Sequence, residues 1–345
     1  MSTASSDRSS AGPKSQKDAR HSPARAHTKS VAEDLGTRRF LFVTGKGGVG
    51  KTTVSGALAM AMAARGKRVL VAMCNAKERL SAILGSRPIG HDVVEVAPNI
   101  FAVNILPERA LHEYGAMVIK SATVAKLVFD NKYVAAFFRA VPGLFEWSML
   151  GKAWFHTTEK RADGSNAYDV VLLDAPATGH GLDMLRVPKV ILDVVPPGVL
   201  RRDADAAWAM FRDAKQSGVV VVTLPEEMPA TETIELISAI RGELQLPVLH
   251  TVVNGVLPQL FTANERAELL RDPALLEIDA PHTSSGTSLS ALVAGARRAI
   301  RERVQAESLE RLGRSIDLPT SYLPFLFDEA STVQGTRMLA KHLGG

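Results

Sequence analysis

Nine residues carry the clearest chemical purpose. Gly45-Lys46-Gly47-Gly48-Val49-Gly50-Lys51-Thr52-Thr53 packs four glycines and two lysines together, directly after an apolar run. Gly45, four residues, then Gly50-Lys51-Thr52 is the spacing of a phosphate-binding loop. Glycines let successive backbone N–H groups converge on phosphate oxygens, which a Cβ would obstruct. Lys51 is the residue type that neutralises β- and γ-phosphates, and the Thr52 hydroxyl is a Mg²⁺ ligand. The second lysine, Lys46, is not needed by its own loop. It fits a group that reaches a phosphate across a dimer interface, as an arginine finger does in trans.

Further candidates stand just past apolar runs elsewhere in the chain. Asp174 ends the run Tyr168-Asp-Val-Val-Leu-Leu. An acid there, opposite a phosphate loop, is placed to hold Mg²⁺ directly or through water. Gly179 and His180 follow in Ala175-Pro-Ala-Thr-Gly-His-Gly181, a segment suited to moving when the γ-phosphate is gained or lost. Asn254, after Leu249-His-Thr-Val-Val, can donate to and accept from a base edge, and Pro324 is placed to flank the same base.

These residues need a sheet to hold them. The runs 39–44, 67–73, 168–173, 218–223 and 246–253 read as buried strands, continuous enough for a parallel sheet covered on both faces. The Ala-rich stretch from Thr52 to Arg65 reads as a helix whose positive N-terminal end points at the bound anion. Short strands are expected within 93–106, helices from about 107, a long charged helix over 287–314 and a last strand and loop at 321–329. The fold class is α/β: a doubly wound, mostly parallel sheet of the P-loop NTPase type with a helical insert at about 107–165. Ligands of such sheets bind beyond the carboxyl ends of the strands.

Composition narrows the function. The 345 residues include a single cysteine, Cys74, which excludes a disulfide framework and any Cys-rich metal site within one chain. Residues 1–30 hold six Lys/Arg and two Asp, so they carry +4 of the net +5. The rest is close to neutral, and no nucleic-acid face is expected. Residues 1–36 read as a disordered, basic, Ser-rich tail, with 37–345 as one P-loop ATPase domain. The tail has no apolar core of a signal peptide, and no run of 18 apolar residues occurs elsewhere, so a cytoplasmic protein with no integral membrane span is expected.

The run Lys46–Thr53 resembles the deviant Walker A motif of ATPases that sandwich two nucleotides in a dimer. With "DAPATGHGLDMLRVP" (174–188), "VVNG" (252–255) and "LPFLFDE" (323–329), the order and spacing resemble the ArsA-like ATPases, the arsenite-pump and guided-entry family. "VPGLFEWSMLGKAW" (141–154) and "LPEEMPATETIEL" (224–236) resemble its bacterial, "anion-transporting" branch. The resemblance spans about residues 38–330. It implies ATP and Mg²⁺ as cofactors and a dimer, either with itself or with a paralogue, acting on a protein client or membrane-protein partner. By motif it implies Lys46 as the intermolecular lysine, Lys51 and Thr52 as phosphate and Mg²⁺ contacts, Asp174 as the switch II acid, and Asn254 and Pro324 as the adenine pocket.

Two departures from the family pattern matter. One cysteine can build neither thiolate capture of arsenite nor a Cys-x-x-Cys zinc clasp. Where the family has Asp-Pro-Ala-His after the second strand, the aligned residues are Cys74-Asn75-Ala76-Lys77. The water-orienting Asp is then missing, with Asn75 or Glu78 as substitutes. This keeps open a hydrolysis-impaired, ATP-binding regulatory subunit beside the active ATPase. A positioning ATPase of the MinD/ParA type is disfavoured by the near-neutral charge and the mildly amphipathic C-terminus. Met117, Phe129, Phe137, Phe138, Phe145, Trp147, Met149, Trp154 and Phe155 form either core or a client-binding groove.

Overall fold

A computed structural model of the chain describes residues 29–119, 143–176, 180–277, 288–327, 329 and 331–344. The apolar runs form strands β1 (Phe40–Thr44), β2 (Val69–Cys74), β3 (Val94–Ala97), β4 (Ile100–Ile105), β5 (Val170–Asp174), β6 (Ser217–Thr223), β7 (Val248–Val256) and β8 (Thr320–Pro324). Across the single sheet their order is β3-β4-β2-β5-β1-β6-β7-β8. All neighbours run parallel except β3, which is antiparallel to β4. The central strands β1, β2, β5 and β6 are buried at every position, which explains their unbroken hydrophobicity.

Alternate residues serve two cores. Phe40, Phe42, Leu70, Ala72, Cys74, Val171 and Leu173 face one, and Leu41, Val43, Val69, Val71, Met73 and Leu172 face the other. The second core is closed by α1 (Val31–Leu35), α2 (Lys51–Ala63) and the final helix Val333–His342. The first is closed by α5 (Leu144–Phe155), α6 (His180–Val194) and α7 (Val199–Arg212), numbered after α3 (Leu80–Leu84) and α4 (Pro107–Ile119). Phe40, Phe42 and Phe211 pack ring to ring with centroids 4.8 to 5.1 Å apart. The chain leaves β1 for β2 on one side and later reaches β6 on the other. The crevice beyond the carboxyl end of β1 is therefore the switch point of the sheet.

One expectation changes, and one open alternative is decided in part. The tail expected over 1–36 ends sooner, because Val31–Leu35 is helical, capped by the Ser30 hydroxyl, with Ala32 and Leu35 buried. Two apolar side chains at helical spacing and a serine cap are enough to dock it. Residues 1–28 lie outside the described residues. In the helical insert, Trp147 and Met149 are buried against the sheet, so they are core, while Trp154 is partly buried and Phe155 is 40% exposed. The side chains of Met117, Phe129, Phe137 and Phe138 lie outside the described residues. Among the described residues, no helix is long and apolar enough to cross a membrane.

Candidate functional site

The loop leaves β1 at Thr44 and enters α2 at Lys51. Gly45, Gly48 and Gly50 take φ of 148°, 84° and 92°. At Gly45 a Cβ would fall 2.1 Å from the Val222 carbonyl oxygen, and at Gly50 it would meet the Asn254 amide at 2.3 Å. Both positions thus need glycine for close approach as well as for conformation. Lys51 is buried, and its ammonium donates to the carbonyls of Gly45 (3.1 Å) and Lys46 (2.9 Å). Burial lowers its pKa, opposed by the charge of Asp174.

Asp174 closes the floor of the site at the end of β5. The Thr52 hydroxyl donates to its Oδ2 at 2.6 Å, and Ser55 lies 3.4 Å from its Oδ1. Only 3% of Asp174 is exposed. Burial pushes its carboxyl up to about 6, against the opposing pull of Thr52, Lys51 and Ser55. A buried carboxylate beside a hydroxyl is an oxygen donor pair whose chemistry fits Mg²⁺.

Two cavities meet at Gly48 and Thr53. One, about 680 Å³, is lined by Lys51, Thr52, Asn75, Glu78 and Asp174. The other, about 640 Å³, is lined by Asn254, Leu257, Pro324 and Phe325. Together they bring Asn254 and Pro324, from β7 and β8, to the opposite side of the loop from Asp174. The Asn254 Nδ2 donates to the Val49 carbonyl at 3.0 Å. That tie leaves its Oδ1 as an acceptor. Lys46 points away from its own loop: its Nζ sits 2.5 Å from Glu232 Oε1, in a half-exposed ion pair. The backbone of Ala177–Gly179 and the side chain of His180 lie outside the described residues.

Cys74 is the last residue of β2 and is buried in the first core, where burial and the nearby Asp174 push its thiol pKa far up. It also lines the cavity of about 680 Å³. Asn75 lines the same cavity and is exposed, with φ 46°. Glu78 is committed elsewhere, since its two oxygens accept from the Ser81 N–H (2.7 Å) and hydroxyl (2.6 Å) at the start of α3. Asn104, which no motif in the sequence singles out, holds this loop. Its side chain accepts from the Ala76 N–H (3.2 Å) and donates to the Ala76 carbonyl (2.9 Å). A lone amide near the end of the apolar strand Ile100–Ile105 is its one signal in the sequence. Ser55 and Glu232 carry none, because serines and acids on helices are common.

The sequence also matches known proteins. The family model described as anion-transporting ATPase matches residues 38–196, just under half of the chain. ATPase BagA of Mycobacterium tuberculosis is 27% identical over 257 residues, covering 72% of this chain and 73% of that protein. The arsenical pump-driving ATPase of Escherichia coli is 26% identical over 247 residues, covering 66% of this chain but 41% of that protein. ATPase GET3 of Kluyveromyces lactis is 29% identical over 163 residues, 45% of this chain and 46% of that protein.

Proposed function

We propose that this chain, which resembles the anion-transporting ATPases over residues 38–196, binds ATP with Mg²⁺ across the two cavities and hydrolyses it as a nucleotide-closed dimer acting on a partner protein. The observation that carries the reading is the Thr52 hydroxyl on the buried Asp174 carboxylate, 2.6 Å apart, beside the Lys51 ammonium. In this reading Lys51 exchanges two loop carbonyls for phosphate oxygens. The N–H groups of Gly47, Gly48, Gly50 and Thr53 hold the phosphates, and Thr52 with Asp174 holds the metal. When bound, Mg²⁺ would neutralise charge on the β- and γ-phosphates. The Asn254 Oδ1 takes the exocyclic amine of adenine, and Pro324 and Phe325 cover the ring. Lys46 leaves Glu232 for a phosphate of the facing subunit. An exposed ion pair is worth about 0–1 kcal/mol, so this exchange costs little.

Equilibrium titration with ATP and Mg²⁺ tests the site. Lys51→Ala is expected to weaken binding by about a hundredfold or more, since a charge-assisted contact is lost. Asn254→Leu is expected to weaken ATP by about tenfold and to erode its advantage over GTP, because the acceptor that selects an amino base is gone. Wild-type protein that ignores ATP, or binds it as well without Lys51, would refute the reading.

Asn75 favours a second reading, an ATP-binding subunit with slow hydrolysis that pairs with an active paralogue. Asparagine orients water less strongly than a carboxylate, which accepts a proton or a hydrogen bond on either oxygen. Asn75→Asp is expected to raise turnover by about tenfold or more with ATP affinity unchanged. Asn75→Ala should lose what turnover there is. Glu78→Ala should instead lower the melting temperature, by loss of its cap on α3, costing about 1 kcal/mol. Equal wild-type turnover in both Asn75 variants would remove Asn75 from the mechanism.

A further inference from the structure

Just past Asn254 the chain leaves the sheet in an irregular way. β7 breaks step with β8 between Val253 and Val256, where Gly255 takes φ 72°. Pairing resumes at Val256, whose carbonyl accepts from the Phe325 N–H at 2.9 Å. Leu257 follows, beyond the end of β7, and is buried. Its own N–H and carbonyl lie past the ladder, and Pro258 after it has no N–H to offer. Backbone polar groups at a buried residue need partners from elsewhere.

One side chain supplies both. The Gln305 Oε1 accepts from the Leu257 N–H at 2.8 Å, and its Nε2 donates to the Leu257 carbonyl at 3.0 Å. A primary amide suits this task, since it carries an acceptor and a donor side by side. The flipped amide would set two donors and two acceptors face to face, so the orientation is fixed. Gln305 stands on the long helix Ser288–Ser315, with Ile300, Arg301 and Val304 on the same face. These four residues and Leu257 line the cavity of about 640 Å³ that Asn254 and Pro324 also line. The same helix grips the loop a second time further on. Glu302 accepts from the N–H groups of Leu260 at 2.8 Å and Phe261 at 3.4 Å, and pairs with Arg298 and Arg266. Of the two grips, that of Gln305 borders the cavity.

We infer that Gln305 is a positioning residue for nucleotide binding: it holds Leu257 as an apolar wall of the base site, together with Pro324 and Phe325. This rests on the reading of that cavity as the place of the adenine. The phosphate loop runs between β1 and α2 and is built without the clamp. Gln305 therefore governs the part of the affinity that comes from the base and leaves the part that comes from the phosphates. Without it the Leu257 N–H and carbonyl must turn to water, and the wall withdraws from the ring.

Isothermal titration of the full chain with ATP and with inorganic tripolyphosphate, each with Mg²⁺, reads the two parts separately. The ratio of the two dissociation constants is what the base and its ribose add. Gln305→Met keeps the length of the side chain and loses both hydrogen bonds. It is expected to lower the ratio about tenfold, with tripolyphosphate affinity unchanged within about twofold. Gln305→Glu keeps the acceptor but sets a carboxylate against the Leu257 carbonyl, so the ratio should fall at least as far. Glu302→Gln keeps acceptors for Leu260 and Phe261 and weakens the pairs with Arg298 and Arg266. It should leave the ratio in place even where the melting temperature falls. A ratio that survives both Gln305 variants, one that falls as far in Glu302→Gln, or tripolyphosphate affinity that drops as much as that of ATP would overturn the inference. A wild type that binds ATP no better than tripolyphosphate would instead remove the base site itself, and the clamp's role with it.

Discussion

Asp174→Asn is expected to make the nucleotide-free protein more stable while abolishing Mg²⁺-dependent turnover. Burial raises the carboxyl from 3.8 to about 6, so the folded chain holds this proton more tightly than the unfolded chain does. The stability that protonation contributes is complete below pH 3.8 and is lost as pH rises through about 6. At pH 8 the ionised carboxylate is a burden on the fold of about 3 kcal/mol, since each tenfold difference in proton affinity between folded and unfolded chain is worth about 1.4 kcal/mol. Asparagine keeps an acceptor for Thr52 without the charge. Lys51 then loses a counter-charge, which offsets part of the gain, so the expected net is about 1–2 kcal/mol. Urea unfolding at pH 8 and pH 4.5 reads it directly: the advantage of the variant should be clear at pH 8 and shrink at pH 4.5. His250, pushed down to about 4 by burial, titrates in both proteins and cancels from the difference. A variant no more stable than wild type at pH 8 would mean that Asp174 is not under strain in the free site.

Lys46→Ala is expected to cut turnover by about a thousandfold or more, the scale of an arginine finger supplied in trans. The same change should leave stability within about 0.5 kcal/mol, because the residue is a half-exposed partner of Glu232 rather than a loop support. ATP affinity at low protein concentration should also hold, since Lys51 does the binding within the subunit. That combination separates the two lysines of one loop. Lys51→Ala loses binding and with it everything else, whereas Lys46→Ala loses only the chemistry. A Lys46→Ala protein with near wild-type turnover would return this residue to the solvated surface.

Much of the crevice is legible in the sequence because its residues sit at fixed offsets from strand ends. The glycine spacing announces a loop, the run ending in Asp174 announces a strand and its acid, and the parallel sheet brings both to one edge. Asn254 and Pro324 are weaker signals alone. They gain meaning once β7 and β8 place them on a cavity shared with the loop. The place of Cys74 is a matter of register. An unbroken apolar run does not say which residue is its last, and a small thiol reads equally as strand or loop. Only the burial of Cys74 and the positive φ of Asn75 mark where β2 ends. Contacts between distant segments are out of reach. The clamp of Asn104 on Ala76 and the pair of Lys46 with Glu232 join residues 28 and 186 positions apart. Nothing in local periodicity records them. The docking of Val31–Leu35 is hidden for the opposite reason: its charged surroundings outweigh two apolar side chains in any count of composition.

The measurement closest to the central claim is phosphate release from an equimolar mixture of Lys46→Ala and Lys51→Ala chains, with each parent and the wild type assayed alongside. A mixed dimer contains one complete site, built from Lys51 of one subunit and Lys46 of the other. With random exchange about half of the dimers are mixed, each with one of two sites intact, so the mixture should recover about a quarter of wild-type turnover while both parents stay silent. A mixture as silent as its parents, beside an active wild type, would contradict a lysine acting across a dimer interface.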